Sequence, residues 1–199
     1  MSKFRAIWNH EVGQAGRISK LLLDNKKVNL NWKTILLPVS LYQLYHYRKD
    51  LRFTRKNLIF TKQLAFEAAK NIFQGKEPAW EFRRIEIKTQ EILNKEKKGF
   101  YTEKIRRKQL SEIDLLIKHY LALFNAEQSK YPEIIQEIYK SKGKYLTFLS
   151  TLRKAEEDVI QAAVTTMRKG TKKDRREWFQ KVRETTKQIR LAEADRIYS

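Results

Sequence analysis

The sequence predicts an all-α protein, a bundle of six or seven helices with a basic, aromatic-edged attachment segment in its N-terminal part. Three observations carry this expectation. The 199 residues contain only 6 Gly and 3 Pro, too few turn-formers for a sandwich of short strands. Hydrophobic residues make up 41% and aromatics 12%, with 4 Trp, 9 Tyr and 10 Phe, enough apolar surface for a core despite a net charge of +20. Apolar residues also recur with the 3.6-residue helical period along most of the chain, and no segment alternates as a strand would.

In chain order, Lys3 to Leu23 reads as the first helix, with Phe4, Trp8, Ala15, Ile18 and Leu22 on one face and Asp24-Asn25-Lys26-Lys27 as its end. Thr34 to Tyr47 contains no formally charged residue and carries Ile35, Leu36, Leu37, Val39, Leu41 and Leu44. Pro38 interrupts it, either bending a helix or occupying the first turn of one that begins near Val39. Arg48 to Phe73 continues in helical register through Leu51, Leu58, Ile59, Ala65, Phe66, Ala69, Ile72 and Phe73, and Gly75 suits its C-terminal stop. Pro78 opens a further helix through Phe82, Ile85, Ile92 and Leu93. Thr102 to Ala126 has a wide apolar face of Ile105, Ile113, Leu116, Ile117, Tyr120, Leu123 and Phe124. From Pro132 the pattern runs to Arg168, with a pause expected at Gly143. Gly170, Thr171 and Asp174 then read as a stop followed by a capping-box start for a last helix bearing Trp178, Val182 and Ile189. The expected division is an N-terminal part, 1–76, and an antiparallel bundle, 77–199.

The charge is unevenly placed. Residues 1–33 hold seven basic and two acidic side chains and residues 48–76 hold eight and two, so these stretches carry more than half of the +20 while 34–47 carries none. Lys26, Lys27 and Lys33 precede the neutral segment, and Arg48, Lys49, Arg52, Arg55 and Lys56 follow it. Trp32 stands at one margin and Tyr42, Tyr45 and Tyr47 at the other. Aromatics with polar tips favour the headgroup level of a bilayer, and basic stems snorkel toward phosphate. Fourteen residues in one helix reach about 21 Å, short of the ~30 Å of hydrocarbon a span requires. Cations on both flanks suit a segment that enters and leaves one anionic leaflet, since each basic residue near such a surface contributes roughly 1 kcal/mol. A buried core helix and a partner's groove are the competing readings of 34–47.

Other chemistry finds little support. With no Cys, disulfides, thiolate zinc sites, iron–sulfur clusters and cysteine nucleophiles are excluded. Glycine-rich phosphate loops and Gly-flanked serine elbows do not occur. His10, His46 and His119 fall on separate elements and none follows a Glu by three residues, the spacing of a di-iron bundle, although Glu11, Glu67, Glu112, Glu156 and Glu193 recur along the helices. The simpler expectation makes the histidines surface or hydrogen-bonded core residues, with His10 and Glu11 neighbours in sequence only. Residues 152–160 and 189–197 share Arg, Ala, Glu, Asp and a final Ile, a match that either pairs Arg with Glu across helices or reflects the small helical alphabet.

These observations predict a non-enzymatic structural or adaptor protein, without cofactor, on an anionic membrane surface, cytoplasmic and peripheral on the inner face. Lys26, Lys27, Lys33, Arg48, Lys49, Arg52, Arg55 and Lys56 are expected to hold phosphate. Trp32, Tyr42, Tyr45 and Tyr47 are expected at the interface, with Leu36, Leu37, Leu41 and Leu44 inserted. RNA or DNA binding is the alternative, supported by basic clusters at Arg83-Arg84, Arg106-Arg107-Lys108 and Lys172-Lys173 with Arg175-Arg176. An acidic protein partner, and a carboxylate-metal bundle acting as an oxidoreductase, stand behind it.

Overall fold

In a computed structural model the chain is all-α, with seven helices and no strand among the described residues. Those are residues 2–23, 38–97, 99, 101–166 and 171–199, with side chains undescribed at 38–49 and 53. The helices are α1 (Lys3–Leu22), α2 (Pro38–Phe73), α3 (Pro78–Lys95), α4 (Glu103–Asn125), α5 (Tyr131–Tyr139), α6 (Lys142–Thr166) and α7 (Lys172–Tyr198).

Their ends follow local chemistry. Pro38 opens α2, where its missing N–H costs nothing, so the second half of the neutral segment and the basic block share one continuous helix. The same helix stops at Gly75, whose φ of +93° admits the left-handed turn that lets Lys76 N–H reach Asn71 O and Gly75 N–H reach Ile72 O. Thr102 accepts from Ile105 N–H at the start of α4, and Thr171 with Asp174 forms the expected capping box on α7. The pause expected at Gly143 falls earlier. Lys140, at φ +59°, ends α5, and Ser141 Oγ accepts from Lys144 N–H to start α6.

Helices α1, α2, α4, α6 and α7 close a five-membered ring in that order, with α7 returning to α1. Paired contacts set their directions. Phe4 meets Phe73, Trp8 meets Phe66 and Glu11 meets Lys62, so α1 and α2 are antiparallel. Phe66 meets Tyr120 and Phe73 meets Phe124, which makes α2 and α4 parallel. Lys108 with Asp158 and His119 with Phe148 set α6 antiparallel to α4, and Lys142 with Asp195 and Glu157 with Arg183 set α7 antiparallel to α6. α3 buttresses α2 and α4 from outside, and α5 lies across one end.

Every residue of the predicted α4 face is buried. At the α5 end, Phe4, Phe66, Phe73 and Phe124 form edge-on pairs with centroids 4.7 to 5.9 Å apart, each worth about 0.5–1.5 kcal/mol beyond area burial. At the other end Ile18, Leu22 and Val182 pack with Leu58, Ile160 and Ile189. Ile7, Leu64 and Ala65 share one core with Leu116, Leu123 and Ile134, so α1 and the second half of α2 complete the bundle expected from residues 77–199 alone.

Candidate functional site

Each helix of the ring contributes a polar side chain to a buried layer between the two apolar ends. α1 supplies Glu11 and Gln14, α2 Lys62, α4 Glu112, His119 and Tyr120, α6 Tyr145 and, at the layer's half-buried edge, Glu156, and α7 Arg190 and Glu193. Lys62 Nζ donates to Glu11 and, at 3.4 Å, to Gln14 Oε1; Gln14 Nε2 then donates to Glu193 at 3.1 Å. Glu193 also accepts from Tyr145 OH at 3.0 Å and from His10 Nε2 at 3.1 Å. The His10 ring stacks on Tyr131 with centroids 3.6 Å apart, and Tyr131 OH lies 3.3 Å from Tyr145 OH. Arg190 grips Glu156 through two bonds of 2.7 and 2.6 Å. His119 Nδ1 lies 2.7 Å from Tyr139 OH.

Environment separates Glu11, Glu193 and Glu112. Burial pushes Glu11 upward, but the Lys62 ammonium and His10 outweigh it and hold its pKa at about 2. Burial likewise raises Glu193, and the hydrogen bonds from His10, Tyr145 and Gln14 bring it below the usual carboxylate value. Glu112 has no described hydrogen-bond partner; burial and the neighbouring Glu156 carboxylate push it up to about 8, against Lys62 and Arg190. Burial drives His119 down to about 3 and keeps its ring neutral.

In this layer Lys62 pairs with Glu11 and Arg190 with Glu156, while Glu112 and the Tyr120 hydroxyl have no described hydrogen-bond partner. Among the described residues no group of three or more His, Asp or Glu side chains is placed to hold a metal ion. Lys62, Arg190, Gln14, Tyr145 and His10 engage oxygens of Glu11, Glu156 and Glu193, which leaves Glu112 as a single carboxyl, too few ligands for a metal. Of the five recurring glutamates, four converge here and Glu67 instead bonds Gln63 on the helix surface. His10 and Glu11, expected to be neighbours in sequence only, both enter the network, the first through Glu193 and the second through Lys62. In the 152–160 and 189–197 match, the second copy's Arg190 binds the first copy's Glu156 across α6 and α7. Lys62 was not singled out; its signal was a cation inside the apolar stripe between Leu58 and Phe66.

The described residues among those expected at a membrane lie toward the end opposite α5. Lys26, Lys27, Trp32, Lys33, Leu36 and Leu37 fall outside the described residues. Leu41, Tyr42, Leu44, Tyr45, Tyr47, Arg48 and Lys49 belong to the α2 backbone. Arg52, Arg55 and Lys56 are exposed. No described helix is long and apolar enough to cross a membrane. Trp178, expected on the apolar stripe of the last helix, is instead 42% exposed at this same end, beyond the cluster around Val182. Comparisons with protein-family models, curated proteins and solved structures gave no match.

Proposed function

We propose that this protein is a non-enzymatic helical scaffold or adaptor that docks on the anionic inner face of a cytoplasmic membrane through residues 26–56. One observation carries the reading: the exposed Arg52, Arg55 and Lys56 sit on the same unbroken helix as the apolar positions from Pro38 onward, and the other half of that helix is locked into the core. Positions 41, 45, 48, 52 and 55 follow alternating steps of four and three residues and so share one face. Along it the residue types change from leucine and tyrosine to three arginines, the order expected from hydrocarbon through headgroup to water.

At roughly 1 kcal/mol per basic residue, the three described cations contribute about 3 kcal/mol, or about 100-fold in affinity. Flotation with phosphatidylcholine vesicles, with and without phosphatidylserine, tests this. The native chain should float with the anionic vesicles, and an Arg52→Glu, Arg55→Glu, Lys56→Glu variant of unchanged circular dichroism should lose at least about two orders of magnitude, since reversal adds repulsion to the lost attraction. A folded Leu37→Asp, Leu41→Asp variant should lose the binding that survives high salt. A native chain that never floats, or a charge-reversed variant that floats equally, overturns the proposal. Salt-sensitive retention on duplex RNA or DNA in place of flotation would transfer the basic residues to nucleic acid.

A further inference from the structure

The end of the bundle opposite α5 brings cations from three helices to one level. Helices α2 and α7 both run antiparallel to α1, so their N-terminal halves leave the core at the same end. The level is marked by Lys181, whose ammonium donates to Leu22 O at 2.9 Å, and by the cluster joining Leu22, Val182 and Leu58. From this point α2 leads to Arg52, Arg55 and Lys56, and α7 leads to the exposed Lys172, Lys173, Arg176 and Trp178. Helix α4 runs parallel to α2, and its exposed Lys104 and Arg107 stand at about the height of Arg52.

Two features set the α7 turns apart from an ordinary solvated helix. Positions 172 and 176 continue, through the half-buried Phe179, the stripe that farther along carries Val182, Thr186 and Arg190, and beyond Phe179, where the core ends, the stripe is basic rather than simply polar. Lys172, Lys173, Arg175 and Arg176 also crowd the positive end of the helix dipole, where stability favours acids, against two acids, Asp174 and Glu177, the second of them 3.9 Å from Lys173. A local choice that works against helix stability is most readily explained by a role outside the fold. Trp178 adds an amphipathic ring at the same height.

We infer that the first two turns of α7 and the first turn of α4 join the basic turns of α2 in one composite end face that rests on anionic lipid, standing the bundle upright on the membrane. This rests on the proposed membrane association and extends it to residues far from 26–56. The occupant is a lipid surface because the cations come from separate helix ends at one height, which suits a plane of phosphates better than a groove-bound chain.

The chain has no cysteine, so single-cysteine variants can carry an environment-sensitive fluorophore. One label is placed at the exposed Gln180, two residues along α7 from Trp178, and a control at Trp80, which is 75% exposed on α3 near the opposite end. With phosphatidylserine-containing vesicles the label at 180 should shift to the blue and that at 80 should not. A Lys172→Glu, Lys173→Glu, Arg176→Glu variant, whose acids suit the helix start, should bind about tenfold more weakly or worse with α2 intact. If the native chain binds while this variant binds equally and the label at 180 behaves like that at 80, the composite face is wrong and attachment through α2 alone stands. If the native chain binds no anionic vesicle, both readings fall.

Discussion

Replacing Glu112 by Gln should make this protein more stable at neutral pH, the reverse of what most core substitutions do. Glu112 is 5% exposed, faces the Glu156 carboxylate and has no described hydrogen-bond partner. Burial first, and Glu156 second, raise its pKa from 4.5 to about 8, against Lys62 and Arg190. Below pH 4.5 folded and unfolded chains both hold the proton, and the group makes no difference to stability. Between pH 4.5 and 8 the unfolded chain ionises freely while the folded chain resists, so stability falls as pH rises, by 1.36 kcal/mol per unit. At pH 7 the deficit reaches about 3 kcal/mol. Gln mimics the neutral carboxyl at every pH. The variant should match the native chain at pH 4 and exceed it by about 3 kcal/mol at pH 7, a shift of about 1 M in the urea midpoint. Urea unfolding followed by circular dichroism at pH 4, 6, 7 and 8 measures this. A difference that does not vary with pH, or a variant less stable at pH 8, would refute the assignment of Glu112 as the neutral member of the layer.

Removing its counter-ion should have the opposite effect on Glu11. Lys62→Met leaves a 5%-exposed carboxylate without its ammonium and should cost about 3–5 kcal/mol at pH 7, much of it restored by adding Glu11→Gln; urea midpoints of both variants decide this. In the native chain the Glu11 pKa is depressed from 4.5 to about 2, so its stabilisation is complete above pH 4.5 and is lost as pH falls toward 2; that part of the acid unfolding profile should vanish in Lys62→Met. Gly75→Ala should cost about 1 kcal/mol in thermal unfolding, from backbone strain at φ +93° alone, because nothing lies within 4 Å of the added methyl.

The helices and their ends were legible in the sequence. Pro38 and Pro78, Gly75, and the Thr171–Asp174 box act through backbone groups a few residues away, so their meaning does not depend on the rest of the fold. The seven-residue apolar face of α4 was readable for a similar reason, since burial follows a local period. The break before α6 was misplaced by three residues because Lys140, not the nearby glycine, takes the left-handed turn. Trp178 carried the right periodicity but lies beyond the length of the core, and a stripe does not reveal where its partner helices stop.

Most of the polar layer belonged to the tertiary structure. The 152–160 and 189–197 match offered the Arg190–Glu156 pairing as one of its two readings, but no local rule showed that Lys62 would meet Glu11. Gln14 meets Glu193 across 179 residues and Lys62 meets Glu11 across 51, and whether a buried carboxyl is ionised depends on which of those encounters occurs. Composition and period alone determined that this chain folds as a basic helical bundle. Packing decided that Glu11, Glu156 and Glu193 find donors while Glu112 holds its proton, because desolvation and Coulomb energy act through space rather than along the chain.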